Sequence, residues 1–377
     1  MRDFALEVYF SKWEFTARYN MTGSDAESLS LADLLELASA EERAAFEQLW
    51  LGYTETYGLP ELRSVIASTY DNINADDLLC FAGAEEAIYT AMRVLLEPRD
   101  HVIVITPNYQ AAETVPLSIC EVSGVALDLE RDWSLEIDAV RAALRPNTKL
   151  LSINFPNNPT GKILPRADFD ALIELCREHG LWLFSDEVYR LIEREPEMRL
   201  PQAVDVYERA VSLNVMSKAY GLPGLRIGWL ACRDRDLLQR LERYKHYLSI
   251  CNSAPSEQLA LIALNHRDTI LERNRSLVRD NLALYDRFFA DYPDLFDWKI
   301  PDGGCVGFIR YRGGDGAEVF TRRLVEEAGV LFLPSSIYRS ELGEAPRDCF
   351  RIGYGRAHVP AGIAAMREWI SFQEYSA

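Results

Sequence analysis

From Glu85 to Asp186 the chain alternates between two periodicities, and this alternation restricts its possible folds more than any other feature. EEAIYTAMRVLL has helical spacing, HVIVITP is a short apolar run ending in Pro107, and CEVSGVALDL is a second strand-like run. LEIDAVRAAL then reads as helix, KLLSINFP as strand, ADFDALIELCREHG as helix with a C-terminal glycine, and LWLFSDEVY as strand. Strand and helix in alternation predict an α/β fold, a mostly parallel sheet with helices on its faces. Such sheets bind ligands beyond the carboxyl ends of their strands. The residues just after Thr106, Phe155 and Phe184 are therefore the first place to look for chemistry.

Two further strand-like runs, RAVSLNVMS and LRIGWLACR, precede a helical tract from about Asp234 to Phe289 that is interrupted near Asn252 to Pro255. After Pro301 the pattern becomes short strands and helices, CVGFIRY, AEVFTRRLVEEAG, VLFLP, CFRIGYG and GIAAMREWISF, as in a small α+β unit. A chain of 377 residues normally divides into two packed units. The expected division is a large domain over residues 46–284 and a smaller one made of 285–377 with the N-terminal 1–45, which shows no sheet partner of its own.

Composition removes several function classes. With 40 basic against 58 acidic side chains the net charge is −18, which repels nucleic acid. No stretch approaches the roughly 20 apolar residues of a membrane span. The start, MRDFALEVYFSKWEF, is charged at Arg2, Asp3, Glu7 and Lys12 and lacks the apolar run of a signal peptide. Seven scattered cysteines without a C-x-x-C pair read as reduced thiols with no zinc site, so a cytoplasmic protein is expected. Of the basic residues only Lys12, Lys149, Lys162, Lys218, Lys245 and Lys299 are lysines, so amine chemistry has few candidates.

Lys218, in SLNVMSKAYGLPGLRIGW, follows a strand-like run and precedes a glycine-rich loop. An amine held there with a lowered pKa can attack a carbonyl and form a Schiff base, although a lone lysine in such a place more often caps a loop carbonyl. Asp186, at the end of LWLFSD, can pair with a protonated pyridine nitrogen and make the ring an electron sink, or simply cap the following turn. The Asn158 amide, in NFPNNPTG, can donate to a ring oxygen, while Asn-Pro is equally a turn initiator. Gly83, Ala84 and Glu85 form a loop-to-helix junction whose free N–H groups suit a phosphate. Arg226, shortly after Lys218, can clamp the same phosphate. Tyr109, in TPNYQAAE, can stack on a planar ring, though tyrosines after strands usually only pack.

Taken in order, YTETYGLPELR, AGAEEAIY, TPNY, NNPTG, DEVY, SKAYGLPGLRIGW and FRIGYG resemble the motifs of the class I/II aminotransferases, fold-type I enzymes that use pyridoxal 5′-phosphate (PLP). They extend over residues 53–355, nearly the whole chain. The resemblance implies that Lys218 carries the cofactor as a Schiff base and moves the substrate proton. Lys218, Asp186 and Tyr109 are then the catalytic candidates, with Asp186 on the pyridine nitrogen and Tyr109 on the ring face. Asn158 and Tyr189 hydrogen-bond the ring oxygen. Gly83, Ala84 and Arg226 bind the phosphate, and Glu85 and Ser217 complete the cofactor set. Tyr53 reaches the phosphate from a second subunit, which implies a homodimer. Arg351, in CFRIGYG, grips the substrate α-carboxylate with Asn158; the bland alternative is an arginine paired with Asp348.

Two positions depart from the family pattern. Val215 stands where the family often has a phosphate-binding serine, and Pro334-Ser335-Ser336 replaces a Pro-Gly before a substrate-facing stretch. The implied reaction moves an amino group between an α-amino acid and a 2-oxo acid. Because fold does not choose among PLP reactions, a cyclase, oxidase or β-eliminating lyase is the alternative. NMTGSDAESLSLADLLELA resembles the segment that covers the substrate in PLP enzymes acting on arginine derivatives. Tyr19, Ser24 and Tyr338 are the candidates for contact with the substrate side chain. A regulatory PLP-fold module fits less well, since the chain has no basic N-terminal domain, and neither nucleotide-binding glycine motif is present.

Overall fold

The structure is a computed structural model that describes residues 1–376. At its centre lies a seven-stranded sheet in the order Leu78–Phe81, Gly228–Ala231, Ala210–Val215, Trp182–Asp186, Thr148–Asn154, His101–Thr106, Glu121–Ala126. All neighbouring pairs are parallel except the two made by Gly228–Ala231, which runs opposite to both neighbours. His101–Thr106 and Trp182–Asp186 are buried along their whole length, as strands covered by helices on both faces must be. The helix Ala84–Leu95 turns Ala87, Ile88, Ala91, Met92 and Leu95 inward, an i, i+4, i+8 stripe. The helix Arg166–His179 stops at Gly180, whose φ of +62° is the left-handed cap that glycine adopts without strain.

The smaller sheet is antiparallel throughout, in the order Leu333–Pro334, Cys349–Gly353, Val306–Tyr311, Phe296–Asp297. Its core is aromatic: Tyr311 stacks on Phe320 at 4.3 Å and Phe332 on Phe350 at 5.0 Å between ring centroids. The 24-residue helix Arg267–Ala290 runs straight through the boundary expected at 284/285. Two buried asparagines on it tie the regions together. Asn274 donates to Ala219 O at 2.8 Å, beside Lys218, and Asn281 donates to Tyr354 O at 2.9 Å and Arg356 O at 2.8 Å. Each such buried bond is worth about 1 kcal/mol net, and a lost partner costs more.

One expectation needs correction. The N-terminal segment does have a sheet partner: Tyr19–Asn20 pairs in parallel with Val330–Leu331. The helices Leu31–Leu37 and Ala40–Glu47 pack elsewhere, on Ala254–Asn265, where Glu42 accepts from Asn265 at 2.8 Å and pairs with His266 at 2.9 Å. The pairing of a two-residue strand carries too little periodicity to be read from sequence.

Register brings the strand ends together. Asn154 pairs with Asp186 and Asp186 with Leu213, while Val215 and Phe81 both pair with Gly228. The loops after these strands therefore leave from one edge. Among the described residues no helix is long and apolar enough to cross a membrane, and all seven cysteines are free.

Candidate active site

A cavity of about 530 Å³ opens at that edge. Ala84, Glu85, Tyr109, Asn158, Asp186, Tyr189, Ser217, Lys218 and Arg226 all line it, residues drawn from five separate loops. Lys218 follows the strand Ala210–Val215 by three residues, and its backbone oxygen accepts from Ala26 N at 3.2 Å and Gly221 N at 3.1 Å. Its Nζ donates to Ser24 Oγ at 2.8 Å. Burial lowers the Lys218 pKa below the usual lysine value; the Asp25 carboxylate opposes this, and the Arg351 cation adds to it. A lowered pKa leaves more neutral amine, the form that attacks a carbonyl.

Asp186 is buried at the adjacent strand end, and burial raises its pKa to about 7, against the N–H of Val188 and the charge of Lys218. The Val188 N–H donates to its Oδ1 at 3.2 Å. Its free carboxyl is suited to a cationic ring nitrogen. The Tyr189 hydroxyl, on a residue 1 % exposed, has no well-formed hydrogen bond, with Ser24 close by. The buried Ser217 hydroxyl also has no partner.

The phosphate end is built from backbone. Gly83, at φ +93°, precedes the helix Ala84–Leu95 without a side-chain cap, so the first N–H groups of that helix are available. A Cβ on Gly83 would come within 2.4 Å of Arg226 Nη2, so a side chain there would fill the space beside the guanidinium. Among the described residues Arg226 donates only to Pro223 O, at 3.3 Å. Glu85 presents a carboxyl whose Oε2 is buried without a partner, and burial raises its pKa. An acid cannot donate to an anion when ionised, so its part at a phosphate is confined to its backbone N–H. Val215 lines the cavity with an apolar face where a hydroxyl was expected to be missed. The orphaned hydroxyls, the uncapped helix and the free guanidinium fit a phosphorylated pyridine.

Other expected residues lie apart. Arg351 is 1 % exposed and does not line the cavity; it donates to Thr22 O at 2.7 Å, to Thr22 Oγ1 at 3.3 Å and to Asn158 Oδ1 at 3.1 Å. Among the described residues neither Asp348 nor another acid pairs with it. Tyr338 also donates to Asn158 Oδ1, at 3.2 Å, so the Asn158 carbonyl is held from behind. Tyr53 is 86 % exposed and away from the cavity of its own chain. Ser335 and Ser336 do not face the cavity: Ser335 donates to Arg347 O at 2.7 Å and Ser336 N to Glu318 at 3.0 Å. Tyr19 is also absent from the wall, its neighbour Asn20 taking that place.

Sequence reasoning missed a whole wall. Phe4, Leu6, Glu7, Phe10 and Glu14, on and around the helix Ala5–Trp13, line the cavity, and Phe4 packs on Tyr109 with ring centroids 5.2 Å apart. Asp25 and Arg356 line it too, paired at 2.8 Å. The available signal was the i, i+3, i+7 spacing of Glu7, Phe10 and Glu14, which says that they share a face but not what that face meets.

Residues 19–364 match the family described as Aminotransferase class I and II. A capreomycidine synthase of Streptomyces vinaceus is 28 % identical over 375 residues, covering 96 % of this chain and 92 % of its own. An arginine–pyruvate transaminase of Pseudomonas aeruginosa is 32 % identical over 312 residues, 78 % of each chain. The crystal structure of a PLP-dependent aminotransferase from Streptococcus suis superposes with a TM-score of 0.91 at 29 % identity, covering 98 % of both chains. The chain belongs to the class I and II aminotransferases, whose cofactor is pyridoxal 5′-phosphate.

Proposed function

We propose that Lys218 carries the cofactor and moves the substrate proton as an amino group passes between an α-amino acid and a 2-oxo acid. The observation that carries this reading is the Lys218 amine, lowered in pKa, opening into one cavity with the buried carboxyl of Asp186. When bound, PLP supplies an electron sink that makes the substrate Cα proton acidic. Arg226 and the N–H groups after Gly83 hold the phosphate. Asp186 would keep a proton on the ring nitrogen, Asn158 and Tyr189 would orient the ring through its oxygen, and Tyr109 would cover one face. Lys218 Nζ would serve as the base that takes the substrate proton and gives it back. Arg351 binds the substrate carboxylate once it releases Asn158 or Thr22. Residues 46–284 hold the cofactor, and 1–45 with 285–377 supply the substrate side.

A homodimer is part of this reading. Trp50, Leu51, Tyr53 and Tyr247 are 77 to 91 % exposed, and their segments adjoin through the Thr54–Asn252 contact at 3.0 Å. An exposed apolar patch of this kind marks a protein interface, and a second copy seated there would carry Tyr53 toward a neighbouring phosphate site. The free cysteines favour the cytoplasm.

A cyclase or related PLP reaction on an arginine derivative is the second reading. It is favoured by the Gly23–Ser24 loop, which lies directly on the Lys218 amine, and by the similarity to a capreomycidine synthase along nearly the whole chain. Incubating purified holoenzyme with amino donors and pyruvate or 2-oxoglutarate separates the two. Transamination yields a new amino acid in step with donor loss. A cyclised product, or ammonia released without an acceptor, would sink the first reading and support the second.

A further inference from the structure

One buried acid has no part in the chemistry above. Glu113 lies on the helix Ala111–Leu117, is 2 % exposed and does not line the cavity. A carboxylate taken out of water is tolerated only where donors replace its hydration, and Glu113 draws its donors from three segments of the chain. Its Oε1 takes the Arg2 guanidinium and, at 3.4 Å, the Glu341 N–H. Its Oε2 accepts from Ser340 Oγ at 2.8 Å and from Asn108 Nδ2 at 3.4 Å. Arg2 also donates to Thr114 Oγ1 at 3.0 Å and pairs with Glu341 at 2.9 Å, so one guanidinium joins the N-terminal segment to the turn at 340–341.

Each of the two distant segments carries a residue that bears on the site. On the N-terminal segment it is Phe4, which lines the cavity and packs on Tyr109 with ring centroids 5.2 Å apart. On the other it is Tyr338, whose hydroxyl donates to Asn158 Oδ1 at 3.2 Å; Arg351 donates to the same oxygen at 3.1 Å. The two segments also touch directly, since the helix Ala5–Trp13 packs on Ser335–Tyr338. Glu113 itself stands just after Tyr109, on the helix that receives both. If its charge is removed, Arg2 and Ser340 lose their common acceptor, and a buried guanidinium contact is left without its partner, which costs more than the pair is worth.

We propose that Glu113 is a positioning residue for the reaction: by holding Arg2 and Ser340 together it closes the segments of Phe4 and Tyr338 over the substrate end of the cavity. The cofactor end, built on strand ends at Gly83, Asp186 and Arg226, makes no contact with it. The inference rests on the reading of Lys218, Asn158 and Arg351 given above.

The test compares Glu113→Gln holoenzyme with the wild type, using the amino donor that the wild type turns over fastest. Donor KM should rise about tenfold, with kcat and PLP affinity each within about threefold of the wild type. A side chain that only stabilised the fold would instead lower the unfolding temperature and leave the KM of the folded enzyme unchanged, and that result would overturn the inference. Equal losses of donor and cofactor binding would overturn it too. Should the Gln variant not fold, Arg2→Ala and Ser340→Ala, at half-buried positions, should each raise donor KM about threefold; an unchanged KM in both would overturn the inference. A wild-type holoenzyme that converts no donor would strike the transamination reading alone. The amino-acid Kd read from the cofactor's spectral shift then takes the place of KM, with the same rise expected in the variants and the same overturning result.

Discussion

The cavity has two walls, and they are held by different forces. The wall from Gly83 to Arg226 grows from strand ends in continuous register, on a sheet buried on both faces. The wall from Phe4 to Asp25 has no such ladder beyond the two-residue pairing of Tyr19–Asn20; it buries Leu6 and Met21 and is otherwise tied down by single polar contacts. Arg2 pairs with Glu113, Ala5 N donates to Gln110 at 2.9 Å, Ala26 N to Lys218 O at 3.2 Å, and Gly353 N to Met21 O at 2.7 Å. At about 1 kcal/mol per bond, those single contacts can be exchanged one at a time, whereas displacing a strand end breaks the whole ladder. Chemistry common to a family belongs on the stiff wall, and substrate choice on the adaptable one.

Substitutions on the two walls should therefore separate in size and in kind. Lys218→Ala should lower turnover by roughly 10⁴-fold or more, and borohydride reduction should no longer fix the cofactor's mass to a peptide containing position 218. A variant within tenfold of the wild type would move the chemistry off the sheet wall. Asp186→Asn comes next, with a pH signature in the cofactor-free protein. A carboxyl raised to about 7 by folding binds its proton more tightly in the native than in the unfolded chain, so its effect is a loss of stability as pH rises from about 4 through 7. The amide variant should then unfold at a higher temperature than the wild type above pH 7, by at most about 4 kcal/mol, with the gap closing toward pH 4. A gap that widens on acidification would contradict the burial argument.

Smaller effects test the other side of the comparison. Phe4→Ala removes the ring packed on Tyr109 and should cost about 1 kcal/mol or less in stability while raising donor KM about fivefold; cofactor affinity measured by titration is the discriminating readout, since a large loss there would make the two walls one unit. Val215→Ser, the smallest change, should tighten PLP by about fivefold, one hydrogen bond's worth. Weaker binding would mean that the Val215 face packs on the ring and does not merely lack a donor.

Much of the sheet wall was legible because its signals are local. Lys218, Asp186, Asn158 and Tyr189 each stand a few residues beyond an apolar run, and a parallel sheet converts that shared position in sequence into a shared position in space. The chain's periodicity therefore implied both the α/β architecture and the edge where these residues meet. Glu7 and Glu14 carry no such mark. Their helix is seated by Gln110, which accepts from Ala5 N and donates to Asp3 O, and by Arg2 on Glu113, contacts separated by 100 residues or more of chain. The same limit applies to Arg351, whose motif named it but whose present partners, Thr22 and Asn158, come from distant segments. Ser335 and Ser336, which stand before the stretch expected to face the substrate, bond Arg347 and Glu318 and do not line the cavity.

What the sequence by itself determined is the alternation of elements, the strand-end residues and the family they resemble, because those depend on interactions over one or two turns of chain. Tertiary structure alone decided which acids share a cavity with Lys218, which arginines are already engaged and how the N-terminal segment is seated. Those outcomes depend on packing between segments far apart in sequence, where burial and charge are set by neighbours that no local pattern names.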